Sequence, residues 1–414
     1  MTRTETDAPA GHTGMGFGEF VALVAALMAI NALSIDAMLP ALPEIGLDLG
    51  IVGENQRQWV VNAYLLGFGV AQLGFGPLAD RFGRKPVLLA GLCLYVFFTL
   101  AALFAASLGA MILARALQGI GAAATRVLAV AIVRDCYSGR RMARVMSLTF
   151  VVFLAAPILA PSIGQAITAF VSWHWIFVAL ALFGATLLVW TIARLPETMH
   201  PEDRSPLSFK AVSHAFGIVL TNRISVGYMS AQTLMIGALF GFVTSSQQVF
   251  SEALGARDIF VYVFALVAGF MAVSSFVNSR IVERIGMRRV SHGALLAFIL
   301  FAIVHAAIAL EGAETIVTFT VLQSAMMFCF GLVGSNFNAM AMEPMGHVAG
   351  TGSAVQGFVT TTGGALIGAF IGQNFNGTVV PLTLGFSLCG LAALAVVLAT
   401  ERGRLFRTTQ AAPR

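Results

Sequence analysis

Long apolar runs follow one another along this chain with only short polar breaks. Twelve of them are long enough to cross roughly 30 Å of hydrocarbon as helices of about 20 residues. They fall at residues 17–39, 57–79, 86–107, 109–133, 142–167, 173–193, 225–250, 258–280, 290–310, 314–341, 350–373 and 378–400, here called helices 1 to 12. In lipid the backbone must satisfy its own hydrogen bonds, so these runs predict helices and not strands. The expected fold is all-α and integral to the membrane. Residues 1–16 are polar, lack the basic–apolar–cleavage pattern of a signal peptide, and read as a disordered tail; residues 401–414 form a second tail.

Composition removes the main alternatives. A chain of 414 residues that is 58% hydrophobic and 10% charged, with mean hydropathy +0.87, is not an ordinary soluble domain. The net charge of +5 is explained by topology and gives no reason to expect nucleic-acid binding. With the N-terminus inside, one side carries Arg3; Arg81, Arg84, Lys85; Arg134, Arg140, Arg141, Arg144; Arg194, Arg204, Lys210, Arg223; Arg280, Arg284, Arg288, Arg289; and Arg402, Arg404, Arg407, Arg414. The other side keeps Arg57 and Arg257, while Arg115 and Arg126 fall inside helix 4. That bias predicts that both termini are cytoplasmic. No Gly-x-x-x-x-Gly-Lys-[Ser/Thr] phosphate loop occurs, which argues against an ATP-driven pump or membrane enzyme. Cys93, Cys136, Cys329 and Cys389 lack metal or redox spacing and read as packing residues. His305, in helix 9, reads as a packed neutral side chain in preference to a proton shuttle.

The longest break, residues 196–223, is rich in Pro, Ser and charge, and divides the helices six and six. Residues 17–195 and 224–400 are then two bundles. The turn Gly76–Lys85 after helix 2 is echoed by Val282–Arg289 after helix 8, which is the register a six-helix duplication demands. Because six is even, both halves keep one orientation and form parallel pseudo-repeats.

Four constellations carry candidate chemistry. In the first, Gly76-Pro-Leu-Ala-Asp80-Arg81-Phe-Gly83-Arg84-Lys85, glycines allow a tight turn while an acid and three bases meet at the cytoplasmic end of helices 2 and 3. In the second, Arg115-Ala-Leu-Gln118-Gly119-Ile-Gly121, an arginine stands within a spanning helix, where charge is expensive and marks a cavity or a partner. Arg126 follows eleven residues on and returns to within about 20° of the same face. The third is Asp36, the acid placed well inside a predicted helix. It lies about 12 Å to the outer side of the helix 1 midpoint, and Arg115 about 9 Å to the same side of helix 4. Equal height suggests a pair, either titratable near physiological pH or a permanent ion pair. The alternative for Arg115 is a structural arginine satisfied by carbonyls, and for Arg126 that alternative weighs as much as the functional reading. In the fourth, Pro157, Pro161 and Gly164 predict a kinked, closely packed helix 5.

Gly76–Lys85 matches the major facilitator loop signature Gly-x-Leu-x-Asp-Arg-x-Gly-Arg-Lys at every defined position. The helix 4 run resembles that family's Arg-x-x-Gln-Gly-x-Gly motif, and helix 5 a degenerate antiporter signature with Ala156 and Ser162 in place of glycines. With Ser34–Asp36, Leu39–Ala41, Ala131–Asp135, Leu195–Thr198 and Asn336–Thr351, the chain resembles the Bcr/CflA drug-resistance group over residues 17–400. The resemblance implies a major facilitator fold and proton-coupled efflux of small amphipathic compounds, driven by the proton gradient without a cofactor or metal and with monomeric function. Asp36 and Arg115 would couple protons, with Gln118 and Arg126 as further polar cavity residues. Asp80 would pair across the interface between halves, Arg84 would pair with Asp135, and this set with Gly76, Arg81, Gly83 and Lys85 would latch the cytoplasmic side. Some related exporters carry a second acid where Met28 stands, so dicationic substrates are not expected. The other reading is a carrier of an endogenous metabolite such as a sugar or amino acid.

Overall fold

The computed structural model describes residues 14–200, 202, 204 and 209–406. Twelve helices follow in chain order: α1 (Phe17–Asp36), α2 (Trp59–Phe82), α3 (Arg84–Leu103), α4 (Leu108–Cys136), α5 (Gly139–Phe170), α6 (His174–Arg194), α7 (Arg223–Gln248), α8 (Phe260–Ile285), α9 (Met287–Leu310), α10 (Ile316–Met342), α11 (Ala349–Gln373) and α12 (Val380–Thr400). All twelve are long and apolar enough to cross a membrane, and they coincide with the twelve apolar runs. Two features depart from the sequence reading. Past Asp36 the chain passes through a 3-10 turn, Leu39–Ala41, into a short helix, Leu42–Asp48, because Pro40 and Pro43 lack the donors that a continuous ladder needs. The linker also holds an unexpected helix, Phe209–Thr221.

Packing repeats with a period of six helices. In the first half α2 and α3 pack on α4, α3 packs on α6, and α1 touches α4, α5 and α6. In the second half α8 and α9 pack on α10, α9 packs on α12, and α7 touches α10, α11 and α12. The halves meet along α2–α11 and α5–α8, a pairing that exchanges under a two-fold axis. The two basic turns are equivalent in backbone as well: Gly83 (φ +100°) and Gly286 (φ +91°) each end one helix and begin the next, in a conformation that a side chain would strain.

Small residues set how closely the helices approach. A Cβ on Gly67 would collide with the Ala116 carbonyl, one on Gly119 with the Tyr64 carbonyl, and one on Gly164 with the Ala37 carbonyl. Without a hydrophobic drive between helices in lipid, such contact supplies the packing energy. Of the four cysteines, Cys329 and Cys389 are buried as expected, Cys136 is half-buried, and Cys93 faces outward on α3; all are free thiols.

Candidate functional site

Both α1 and α12 place a chain end on one face of the bundle, here the terminal face; the opposite face is distal. The distal face is sealed by polar contacts between halves. Arg57, just before α2, forms an ion pair with Glu252 beyond α7, and Gln58 hydrogen-bonds Gln248 at the end of α7. Asn55 Nδ2 donates to the Gln373 (3.0 Å) and Phe375 (2.9 Å) carbonyls, and Gln58 Nε2 to the Gly372 carbonyl (3.0 Å). These side chains sit at helix ends, and nothing in the sequence singled them out as a site. Only their meeting across the interface makes them a gate.

Below this seal a cavity of about 610 Å³ lies between the halves and reaches the terminal-face ends of α2 and α4, where Asp80 and Arg134 line it. Its charged lining residues are Asp36, Asp80, Arg84, Arg126 and Arg134, all in the first half. The second half contributes Phe240, Phe264 and Phe330, Met271 and Met327, and the amides Gln232, Gln356 and Asn338. Asp36 is 6% exposed and its carboxylate has no hydrogen bond or ion pair among the described residues. Pro157 also lines the cavity, Pro161 is buried, and Gly164 lets α5 touch the end of α1.

The direct Asp36–Arg115 pair suggested by equal height is not formed. Arg115 is fully buried; its Nε donates to the Val60 carbonyl (2.8 Å), Nη2 to the Ser34 carbonyl (2.9 Å) and Nη1 to Gln118 Oε1 (2.5 Å). The guanidinium also lies 4.6 Å from the centre of the Tyr64 ring. Ser34 is in the last turn of α1, where carbonyls lack intrahelical partners and a cation is favoured. Arg115 therefore ties the α1 C-terminus to α2 and α4 and fixes the backbone two residues before Asp36. Its helix presents it to the carbonyl edge of α1, while the Asp36 side chain turns to the cavity; depth along the membrane sets height but not azimuth.

The network continues behind α1. Gln118 Nε2 donates to Thr99 Oγ1 (2.7 Å), and the Tyr95 hydroxyl lies 2.7 Å from Ser34 Oγ. Tyr64 donates to Asn31 Oδ1 (3.0 Å), whose amide donates to Thr125 Oγ1 (3.2 Å). Gln118 thus belongs to the buried support and not to the cavity wall. Arg126 differs from Arg115, since it projects into the cavity.

At the terminal face Arg84 Nε donates to Asp135 Oδ2 (2.9 Å) and Nη1 to Asp80 Oδ1 (2.6 Å). The Arg84–Asp135 contact is the one the family resemblance implies. The Asp80 contact is not: its partner is Arg84 of the same half, and among the described residues it makes no pair across the interface. Lys85 Nζ donates to the Ile192 carbonyl of α6 (3.0 Å), Arg81 is exposed over the Phe82 ring, and Gly76 lines the cavity mouth. Glu197 is a member that sequence reasoning missed. Its Oε1 accepts from the Arg84 backbone N–H (2.9 Å) and its Oε2 from that of Lys85 (3.3 Å), so it caps the α3 N-terminus from the linker. An acid placed directly after helix 6 was the available signal. Among the described residues no three His, Cys, Asp or Glu side chains group to hold a metal.

The Major Facilitator Superfamily profile matches residues 24–369. The chain belongs to that superfamily. Similar curated proteins include the bicyclomycin resistance protein homolog of Haemophilus influenzae, 30% identical over 92% of this chain and 96% of that protein. The multidrug resistance protein MdtL of Salmonella typhi is 28% identical over 92% of this chain and 94% of its own length. These relatives accord with the Bcr/CflA resemblance. Solved structures share the fold: the xylose transporter XylE of E. coli, in a partially occluded inward open conformation, has a TM-score of 0.72 at 11% identity over 95% of this chain and 99% of that chain. The human organic anion transporter MFSD10 has a TM-score of 0.63 at 18% identity, over 93% and 99%.

Proposed function

We propose that this protein exports small amphipathic compounds by alternating access, in exchange for protons, across a bacterial cytoplasmic membrane with both termini inside. The observation that carries this reading is Asp36, a buried carboxylate without a partner among the described residues, in the wall of a cavity that is sealed distally and reaches the terminal face. A cavity acid of this kind can take a proton when substrate leaves and release it when substrate binds. Residues 17–195 and 224–400 act as the two rocking bundles. Arg115 acts as a positioning residue that holds the end of α1, while Asp80, Arg84 and Asp135, capped by Glu197, bias which face is open. One charge crossing 100 mV contributes about 2.3 kcal/mol, and no cofactor is required. The protein works as a monomer.

The relatives' names, bicyclomycin resistance and multidrug resistance, support toxic compounds over a metabolite as cargo. A largely apolar pocket walled by Phe and Met supports the same view, because such surfaces re-pack around different ligands. The test is a susceptibility panel in a host stripped of its own exporters. The native chain should raise tolerance to several unrelated amphipathic compounds, and Asp36→Asn, made in equal amount, should not. Protection against none of them, with altered export of a single metabolite instead, would move the reading to a metabolite carrier.

A further inference from the structure

Arg126 occupies an unusual position. It stands ten residues from the terminal-face end of α4, about 15 Å along the axis, which places its guanidinium near the middle of the bilayer. It lines the cavity, and among the described residues no acid, carbonyl or ring partners it. Arg115 spends its donors on three acceptors; Arg126 spends none on the protein. A charge left uncompensated at this depth is costly and marks a ligand pathway.

The remaining charges around the cavity do not offset it. Asp80 is held by Arg84 at the mouth, and Arg134, also at the mouth, is a second lining guanidinium without a partner among the described residues. Asp36 stands beside the α1 turn that Arg115 grips, and Arg115 precedes Arg126 by eleven residues, so the acid and Arg126 are about 16 Å apart along the membrane normal. Among the described residues the facing wall brings no charge. At a similar depth it presents the amides of Gln232, Gln356 and Asn338, joined through Gln356 Nε2 to Gln232 Oε1 (3.0 Å) and Asn338 Oδ1 (3.1 Å). Toward the distal seal the wall turns to Phe240, Phe264 and Phe330.

We propose that the middle of the cavity is an anion subsite, where Arg126 takes the carboxylate, sulfonate or phosphonate of an amphipathic organic anion whose apolar body lies against Phe240, Phe264 and Phe330. This deepens the export reading and rests on it for the direction of transport. Arg134 at the mouth draws the anion in, the amide wall accommodates the polar head, and Asp36 stays clear of it to exchange the proton. Anion export and proton influx both run down an inside-negative potential, so the two legs reinforce each other.

The test uses two probes of one skeleton: 8-anilino-1-naphthalenesulfonate, and N-phenyl-1-naphthylamine, which lacks the sulfonate. Binding to the purified full chain in nonionic detergent is measured by equilibrium dialysis against detergent alone. The native protein should bind the sulfonate about tenfold more tightly than the uncharged amine, as a charge-assisted contact in a shielded site allows. Arg126→Gln should bring the two affinities together while leaving the amine unchanged, which also shows that the variant is folded. Arg126→Lys should keep most of the preference, and Asp36→Asn all of it. Equal binding of both probes by the native protein overturns the proposal without recourse to any variant, as does a sulfonate preference that survives in Arg126→Gln. Failure here leaves proton exchange at Asp36 untouched. Conversely, proton release that persists in Asp36→Asn would sink the antiport reading and leave the anion subsite standing.

Discussion

The two six-helix halves share a packing plan and divide the work unequally. Among the described residues every charged side chain lining the cavity belongs to the first half, whereas the second lines it with Phe, Met and amides. The contrast extends to buried support. Where α4 has Arg115, eight residues after its capping Ser107, α10 has Gln323, eight residues after Thr315. Arg115 has a partner at each of its nitrogens; Gln323 is equally buried, and its amide has no partner among the described residues. Duplication preserved the scaffold, its glycine turns and helix contacts, while the charged lining of the cavity was concentrated in one copy and a wall of Phe, Met and amides in the other.

The largest effect should come from the acid that the second half lacks. Asp36→Asn should reduce conferred resistance to the host's background, with the protein still folded, as tolerance assays and thermal unfolding would show. Retained resistance would dissolve the division of labour. Next comes packing. Gly119→Leu drives a side chain into the Tyr64 carbonyl and should destabilise the first half by about 3 kcal/mol. Gly109→Leu, on the same helix with open space around it, should leave the unfolding midpoint unchanged.

The adaptable wall should answer differently. Phe240→Ala should re-rank the exported compounds by about tenfold for the most affected, through lost apolar contact, without abolishing proton coupling. A uniform loss for every compound would place coupling chemistry in the second half too. The smallest effect is expected at Glu401, just past α12, which accepts from Arg288 Nε (2.8 Å) and the Tyr228 hydroxyl (2.7 Å). Burial alone would raise the Glu401 pKa, but these contacts outweigh it and hold the carboxyl below its usual range. A carboxylate with a depressed pKa stabilises the fold above the ordinary carboxylate pKa, and that contribution fades as pH falls through the lowered value. Glu401→Gln should therefore unfold more easily at pH 7, by about 1 kcal/mol once solvent screening is allowed for, and the gap should close at acid pH.

Much of this was legible in the sequence because membrane chemistry writes in long apolar runs and single charges. The twelve spans follow from hydrogen-bond satisfaction in lipid, and the meeting of Arg84 with Asp135 followed from the family motif. Asp36 stood out because an acid inside a spanning helix is rare. What could not be read was azimuth. Arg115 and Asp36 share a height, yet Arg115 takes the Ser34 carbonyl and leaves the carboxylate to the cavity. Arg126 lies on nearly the same helical face as Arg115 and meets an entirely different environment, because α1 covers one and the cavity opens over the other. The distal gate of Asn55, Gln58, Gln248 and Gln373 was equally hidden, since uncharged polar residues at helix ends carry no signal until two distant segments meet.

The central claim is that Asp36 exchanges its proton for substrate. Its most direct test is proton release by the purified chain in weakly buffered detergent when a compound identified by the resistance panel is added. The native protein should acidify the medium in a saturable manner, and Asp36→Asn should bind the compound without releasing protons. Equal release from both proteins would contradict the account.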